Sequence, residues 1–105
     1  MSNTGEDLSK SANDIKAVCS EIESMLIAKN HAYGDSALDP IRIFSHTHPT
    51  EQILVRIDDK LSRIKMGRFH DTEDVELDLI GYLILLRVQR RREAARRVVP
   101  AIPHI

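Results

Sequence analysis

The stretch EDVELDLIGYLILL, Glu73 to Leu86, decides how this chain folds. Projected at about 100° per residue, Val75, Leu77, Leu79, Ile80, Leu83, Ile84, Leu85 and Leu86 cover almost the whole circumference of a helix. A helix apolar on every side belongs in an interior, so the pattern predicts a central, buried helix running on through Val88. One charge breaks that pattern. Asp78 sits inside the apolar run, and Asp74 lies one turn upstream on the same face. Burying a lone carboxylate costs on the order of several kcal/mol, and like charges at i,i+4 repel, so something positive is required beside them.

Upstream, Ile15, Val18, Cys19, Ile22, Met25 and Leu26 recur at intervals of three and four. They predict a first helix from Leu8 or Asn13 to Lys29, with Cys19 as a small core residue. It should stop at KNHAYGDS (29–36), where Gly34 suits a left-handed turn. After the loop ALDPIRIFSHTHP (37–49), Pro49 opens a second helix that reaches about Met66. Its stripe is Ile53, Leu54, Ile57, Leu61 and Ile64. GRFHDT (67–72) breaks the chain again, with Asp71 or Thr72 as N-cap of the third helix, which should end before Pro100. The expected fold is all-α: a small bundle of three main helices. It occupies one domain over 13–98, between a flexible 1–12 and a tail over 99–105.

Composition agrees. Glycine and proline number four each in 105 residues and aromatics are 4%, too few turn signals for a β-sandwich or barrel. No run of about 18 apolar residues exists, and the polar start MSNTGEDLSKSANDIK lacks a signal peptide's apolar core, so neither a membrane nor export is expected. A single cysteine fits a reducing cytoplasm. The net charge of −1 is uneven: Arg87 to Arg97 holds six arginines and one glutamate, +5, which leaves −6 for the rest.

The second helix offers Asp78 two kinds of neighbour. Glu51 and Asp58 lie on one flank of its stripe; Arg56, Lys60 and Arg63 lie towards the other. If the acidic flank faces the third helix, Glu51 and Asp58 join Asp74 and Asp78 in an oxygen-rich site suited to Mg²⁺ or Mn²⁺. If the basic flank faces it, Lys60 or Arg56 neutralises Asp78 as a salt bridge. Spacing leaves both open. Lys29 continues the apolar stripe of the first helix and either snorkels to solvent or, with Lys60 and Arg63, meets the phosphates of a nucleotide.

KNHAYGDS, RIDDKLSRIK (56–65) and EDVELDLIGYLIL (73–85) resemble, in order and spacing, the type-1 nucleotide-modification-associated domain found largely in phages. The resemblance covers about Asp14 to Leu86. More distantly, the third segment resembles the E-E-x-x-D helix of MazG-like all-α nucleoside triphosphate pyrophosphohydrolases, with Asp78 at the motif's aspartate and Asp74 at its first acid. The resemblance implies an oligomeric, cytoplasmic nucleotide-pool protein, acting in the host cytoplasm if phage-encoded, that uses magnesium at an acidic cluster. Asp74 and Asp78 would be catalytic and, with Asp58 and Glu51, hold the metal; Lys29, Tyr33, Asp35, Lys60 and Arg63 would contact the nucleotide. Water attack on the α–β phosphoanhydride would give a monophosphate and pyrophosphate. Two departures stand out. MazG-like enzymes carry E-x-x-E on the preceding helix, whereas no acid lies three residues beyond Asp58 or Asp59; and Val75 takes the place of the second motif's glutamate. They favour a rival reading, a non-catalytic protein that sequesters a nucleotide, linear or cyclic, whereas the Asp74/Asp78 pair favours the hydrolase, which remains the leading expectation. A third reading is a structural or interaction module whose acids are neutralised by Arg56 and Lys60.

The remaining features are plainer. His46 and His48 read as a polar loop pair without a third metal ligand. RVQRRREAARRVVPAIPHI (87–105) reads as a solvated helix end whose cations suit the helix dipole, or as a subunit contact. Nucleic acid is not expected as a partner, because no aromatic residue interleaves with the arginines.

Overall fold

The computed structural model describes residues 4–39, 47–67 and 74–98. All regular structure among them is helical: α1 spans Thr4–Ala32, α2 Pro49–Lys65 and α3 Val75–Val98. No helix is long and apolar enough to cross a membrane among the described residues. The chain divides at Gly34 into two compact units, Met1–Gly34 and Asp35–Ile105.

The first unit is essentially α1. The helix begins at Thr4, several residues before the expected Leu8 or Asn13. Glu6 and Asp7 in its first turn meet the positive end of the helix dipole, and no proline interrupts. Within this unit no second helix is available to cover the apolar stripe. Of that stripe Ile15 and Val18 are exposed, Met25 and Leu26 half-buried and Ile22 buried; Leu8 and Ile27 are exposed too. Cys19 is exposed as well, which corrects its assignment to a core. The C-terminal end follows expectation, with Tyr33 N–H donating to the Lys29 carbonyl and Gly34 at φ 62°. Asp35 shares that left-handed conformation (φ 62°), tolerable because a short polar side chain bonds locally. Its carbonyl accepts from Leu38 and Asp39.

The second unit is built on an antiparallel hairpin, α2 against α3; Thr50 at the start of α2 meets Glu93 late in α3, and Lys60 meets Asp78. α2 starts at Pro49 as its sequence predicts and ends at Lys65, closed by Met66 N–H to the Ser62 carbonyl and by Gly67 at φ 74°. Ile53 and Ile57 form its buried face together with Lys60. Taking Ile53 as zero, Ile57 and Lys60 fall at about +40° and −20°, whereas Leu61 falls at about +80°. Leu61 is therefore exposed and Lys60 takes its place.

Asp71 and Thr72 lie outside the described residues. The residue that caps α3 is Asp74, whose Oδ1 accepts the backbone N–H of Leu77 at 3.0 Å. On α3, Val75, Leu85, Leu86 and Gln89 are buried, but Leu83 and Ile84 are exposed. The all-round apolar surface thus does not make a fully enclosed helix: in this unit α2 covers one side, and Leu83 and Ile84 project from the other.

Candidate functional site

Asp78 points across the hairpin. Its Oδ2 lies 3.4 Å from Nζ of Lys60, with side-chain exposures of 16% and 9%. Of the two kinds of neighbour that spacing left open, the basic one, Lys60, stands beside Asp78. The register explains it. Lys60 stands inside the buried stripe of α2, so its stem packs where a leucine would and its ammonium reaches the carboxylate. Glu51 and Asp58 fall at about 140–160° from Ile53, on the opposite side of α2, and both are exposed.

The other expected site residues can be placed one by one. Asp74 is exposed and spends one carboxylate oxygen on capping α3. Arg63 is half-buried and pairs with Asp59 one turn earlier at 3.5 Å. Lys29 and Tyr33 are exposed at the C-terminal end of α1, and Asp35 is half-buried in the turn that follows. Among the described residues, no three histidine, cysteine, aspartate or glutamate side chains gather into a group able to hold a metal ion. The expected quartet of Glu51, Asp58, Asp74 and Asp78 is therefore not assembled as one cage, and Asp78 and Asp74 each have a local task.

A second polar cluster lies at the other end of the hairpin and was not anticipated. His48 caps α2, its Nδ1 accepting the Thr50 N–H at 3.2 Å, while its Nε2 lies 3.4 Å from Glu93 Oε1. The same carboxylate oxygen accepts the Thr50 hydroxyl at 2.8 Å and the Gln89 side-chain amide at 3.3 Å. These donors hold the Glu93 carboxyl below its ordinary value, the Thr50 hydrogen bond first and the Gln89 bond next, with His48 and Arg97 adding attraction. Because Nδ1 of His48 is an acceptor, the neutral ring carries its proton on Nε2, facing Glu93. His48, Thr50 and Glu93, with Glu51, Arg96 and Arg97, line an open groove of about 460 Å³. Two sequence signals pointed here: a histidine directly before Pro49, and the one acid within the arginine run.

No family model, curated protein or solved structure matches the chain.

Proposed function

We propose that this chain is a MazG-like nucleotide-handling domain that binds a nucleotide without hydrolysing it, and that it assembles with copies of itself. Three observations support this reading, and the Lys60–Asp78 pair carries it. The second and third segments of the resemblance to nucleotide-modification-associated domains, RIDDKLSRIK and EDVELDLIGYLIL, belong to one hairpin whose buried ion pair joins their polar residues. Asp78 is already compensated and Asp74 already caps a helix, so the protein's own carboxylates are poorly placed to hold a catalytic ion. Mg²⁺ or Mn²⁺ would instead arrive on the nucleotide's phosphates. Asp35 and Arg63, both half-buried in the second unit, are the residues proposed to meet that nucleotide. Exposed Leu8, Ile15 and Val18, which share one side of α1, support self-assembly, since contiguous apolar surface is usually covered. We also propose a cytoplasmic setting, the host's if the chain is phage-encoded, from the single free cysteine.

Hydrolysis to a nucleoside monophosphate and pyrophosphate is the second reading, favoured by Asp74 and Asp78 standing one turn apart at the start of α3. One experiment separates the two. The protein is incubated with nucleoside triphosphates, deoxynucleoside triphosphates and cyclic dinucleotides, each with Mg²⁺ or Mn²⁺, and binding heat and released pyrophosphate are both recorded. Binding heat without pyrophosphate is expected. Pyrophosphate that disappears in Asp78→Asn would establish the enzyme, and neither signal would leave an interaction module.

A further inference from the structure

The second half of α3 carries a charge pattern that neither polar cluster uses. Arg87, Arg90 and Arg91 are exposed and lie within about 100° of arc, opposite the buried Gln89. Among the described residues none of the three is ion-paired. The run's one acid, Glu93, directs its carboxylate to Thr50 and Gln89. Arg87 stands three and four residues from Arg90 and Arg91, where like charges repel by roughly 0.2–0.5 kcal/mol per pair. This face therefore costs stability in isolation, which a polyanion would recover. Side-chain choice sharpens the point: every cation of α1 is lysine, whereas every cation of α3 is arginine. Arginine's planar fork binds phosphate oxygens in pairs, which a lysine ammonium does not.

We propose that the Arg87–Arg90–Arg91 face of α3 docks on the phosphate backbone of duplex nucleic acid. A duplex offers one charge per about 1.7 Å of its axis, dense enough to meet three guanidiniums spread over one helical turn. The lack of aromatics, which argued against nucleic acid at the level of sequence, removes base stacking but leaves phosphate contacts untouched. Recognition is consequently independent of base sequence and sensitive to salt. An anionic membrane fits less well: an interfacial helix needs a broad open apolar face, and on α3 only Leu83 and Ile84 are open beside the arginines, while Val75, Leu85 and Leu86 are buried.

The test is fluorescence anisotropy of the full chain on two unrelated DNA duplexes across a salt series. The expected result is equal affinity for both, with three phosphate contacts giving a log–log salt slope of about −2.7, or about 40-fold weaker binding from 50 to 200 mM. Arg87→Gln/Arg91→Gln should reduce the slope to about −1 and the low-salt affinity by at least about tenfold. Lys10→Gln/Lys16→Gln, an equal charge change on α1, should leave both within about twofold; an equal loss there would mean that net charge alone acts, and would overturn the proposal. So would absence of duplex binding at low salt, stronger binding to phosphatidylserine vesicles than to duplex, or salt-sensitive self-association abolished by the Arg87/Arg91 variant without any duplex binding.

Discussion

Polar groups tie α2 to α3 at two levels, and the two ties differ in their contact with water. At one level Lys60 and Asp78 form a single ion pair with both side chains largely buried. At the other, Glu93 is shared among Thr50, Gln89 and His48, and the imidazole is 56% exposed. A buried pair has no substitute for its partner, whereas solvent can replace any one member of an open cluster. The first tie should therefore be an all-or-none contribution to stability and the second a graded one.

The largest expected effect follows from the buried tie. Lys60→Met leaves Asp78 without its cation, and Asp78→Leu leaves Lys60 without its anion; each should lower unfolding free energy by about 3–5 kcal/mol. Combining Lys60→Met with Asp78→Leu replaces the pair by apolar groups and should restore stability to within about 1 kcal/mol of the parent, or exceed it. Urea unfolding of the four proteins measures the cycle. Single variants costing less than about 1 kcal/mol would show that water reaches the pair, and the contrast between the two ties would disappear.

How far the sequence foretold this arrangement depends on how local each interaction is. Pro49 starting α2, Gly34 and Gly67 ending helices, and the all-helical class are written in residues adjacent to the feature they produce. The demand for a positive partner at Asp78 was equally legible, because a carboxylate in an apolar run is costly wherever the run packs. Which partner answers it was not legible. That turned on a rotation of α2 of a few tens of degrees, which set Lys60 inside the interface and exposed Leu61, Glu51 and Asp58. The Glu93 cluster was hidden for a similar reason: Thr50 and Glu93 lie 43 residues apart, and only the antiparallel pairing of the helices joins them.

A smaller effect belongs to the end of α3 nearest the buried tie. Asp74→Ala removes the acceptor for the Leu77 N–H and should cost about 1 kcal/mol, the usual value of an N-cap. Asp74→Asn keeps an oxygen acceptor and should stay within a few tenths of a kcal/mol of the parent. Urea midpoints check both. The pair of variants also bears on function, because a metal ligand would not tolerate the amide as a cap does. If nucleotide binding survives Asp74→Asn but its Mg²⁺ dependence is lost, the carboxylate does more than cap the helix.

The smallest effect is the graded one at the open tie, and pH reveals it. The Glu93 carboxyl titrates below its ordinary value of 4.5 because Thr50 and Gln89 donate to its charged form. A group whose folded-state pKa is depressed contributes stability that is complete above its unfolded value and fades as pH falls through the folded one. Glu93→Gln should thus narrow its deficit against the parent below about pH 4.5 and show its full, modest deficit near neutrality. Thr50→Val, which removes the leading donor, should move the acid limb of the melting profile upward in pH. His48→Ala should shift that limb less, since His48 ranks below both hydrogen bonds as a cause. Thermal melts at closely spaced pH values measure all three. An acid limb identical in parent and Thr50→Val would mean that the hydroxyl does not hold Glu93 ionised, and that the open end of the hairpin is tied by charge alone.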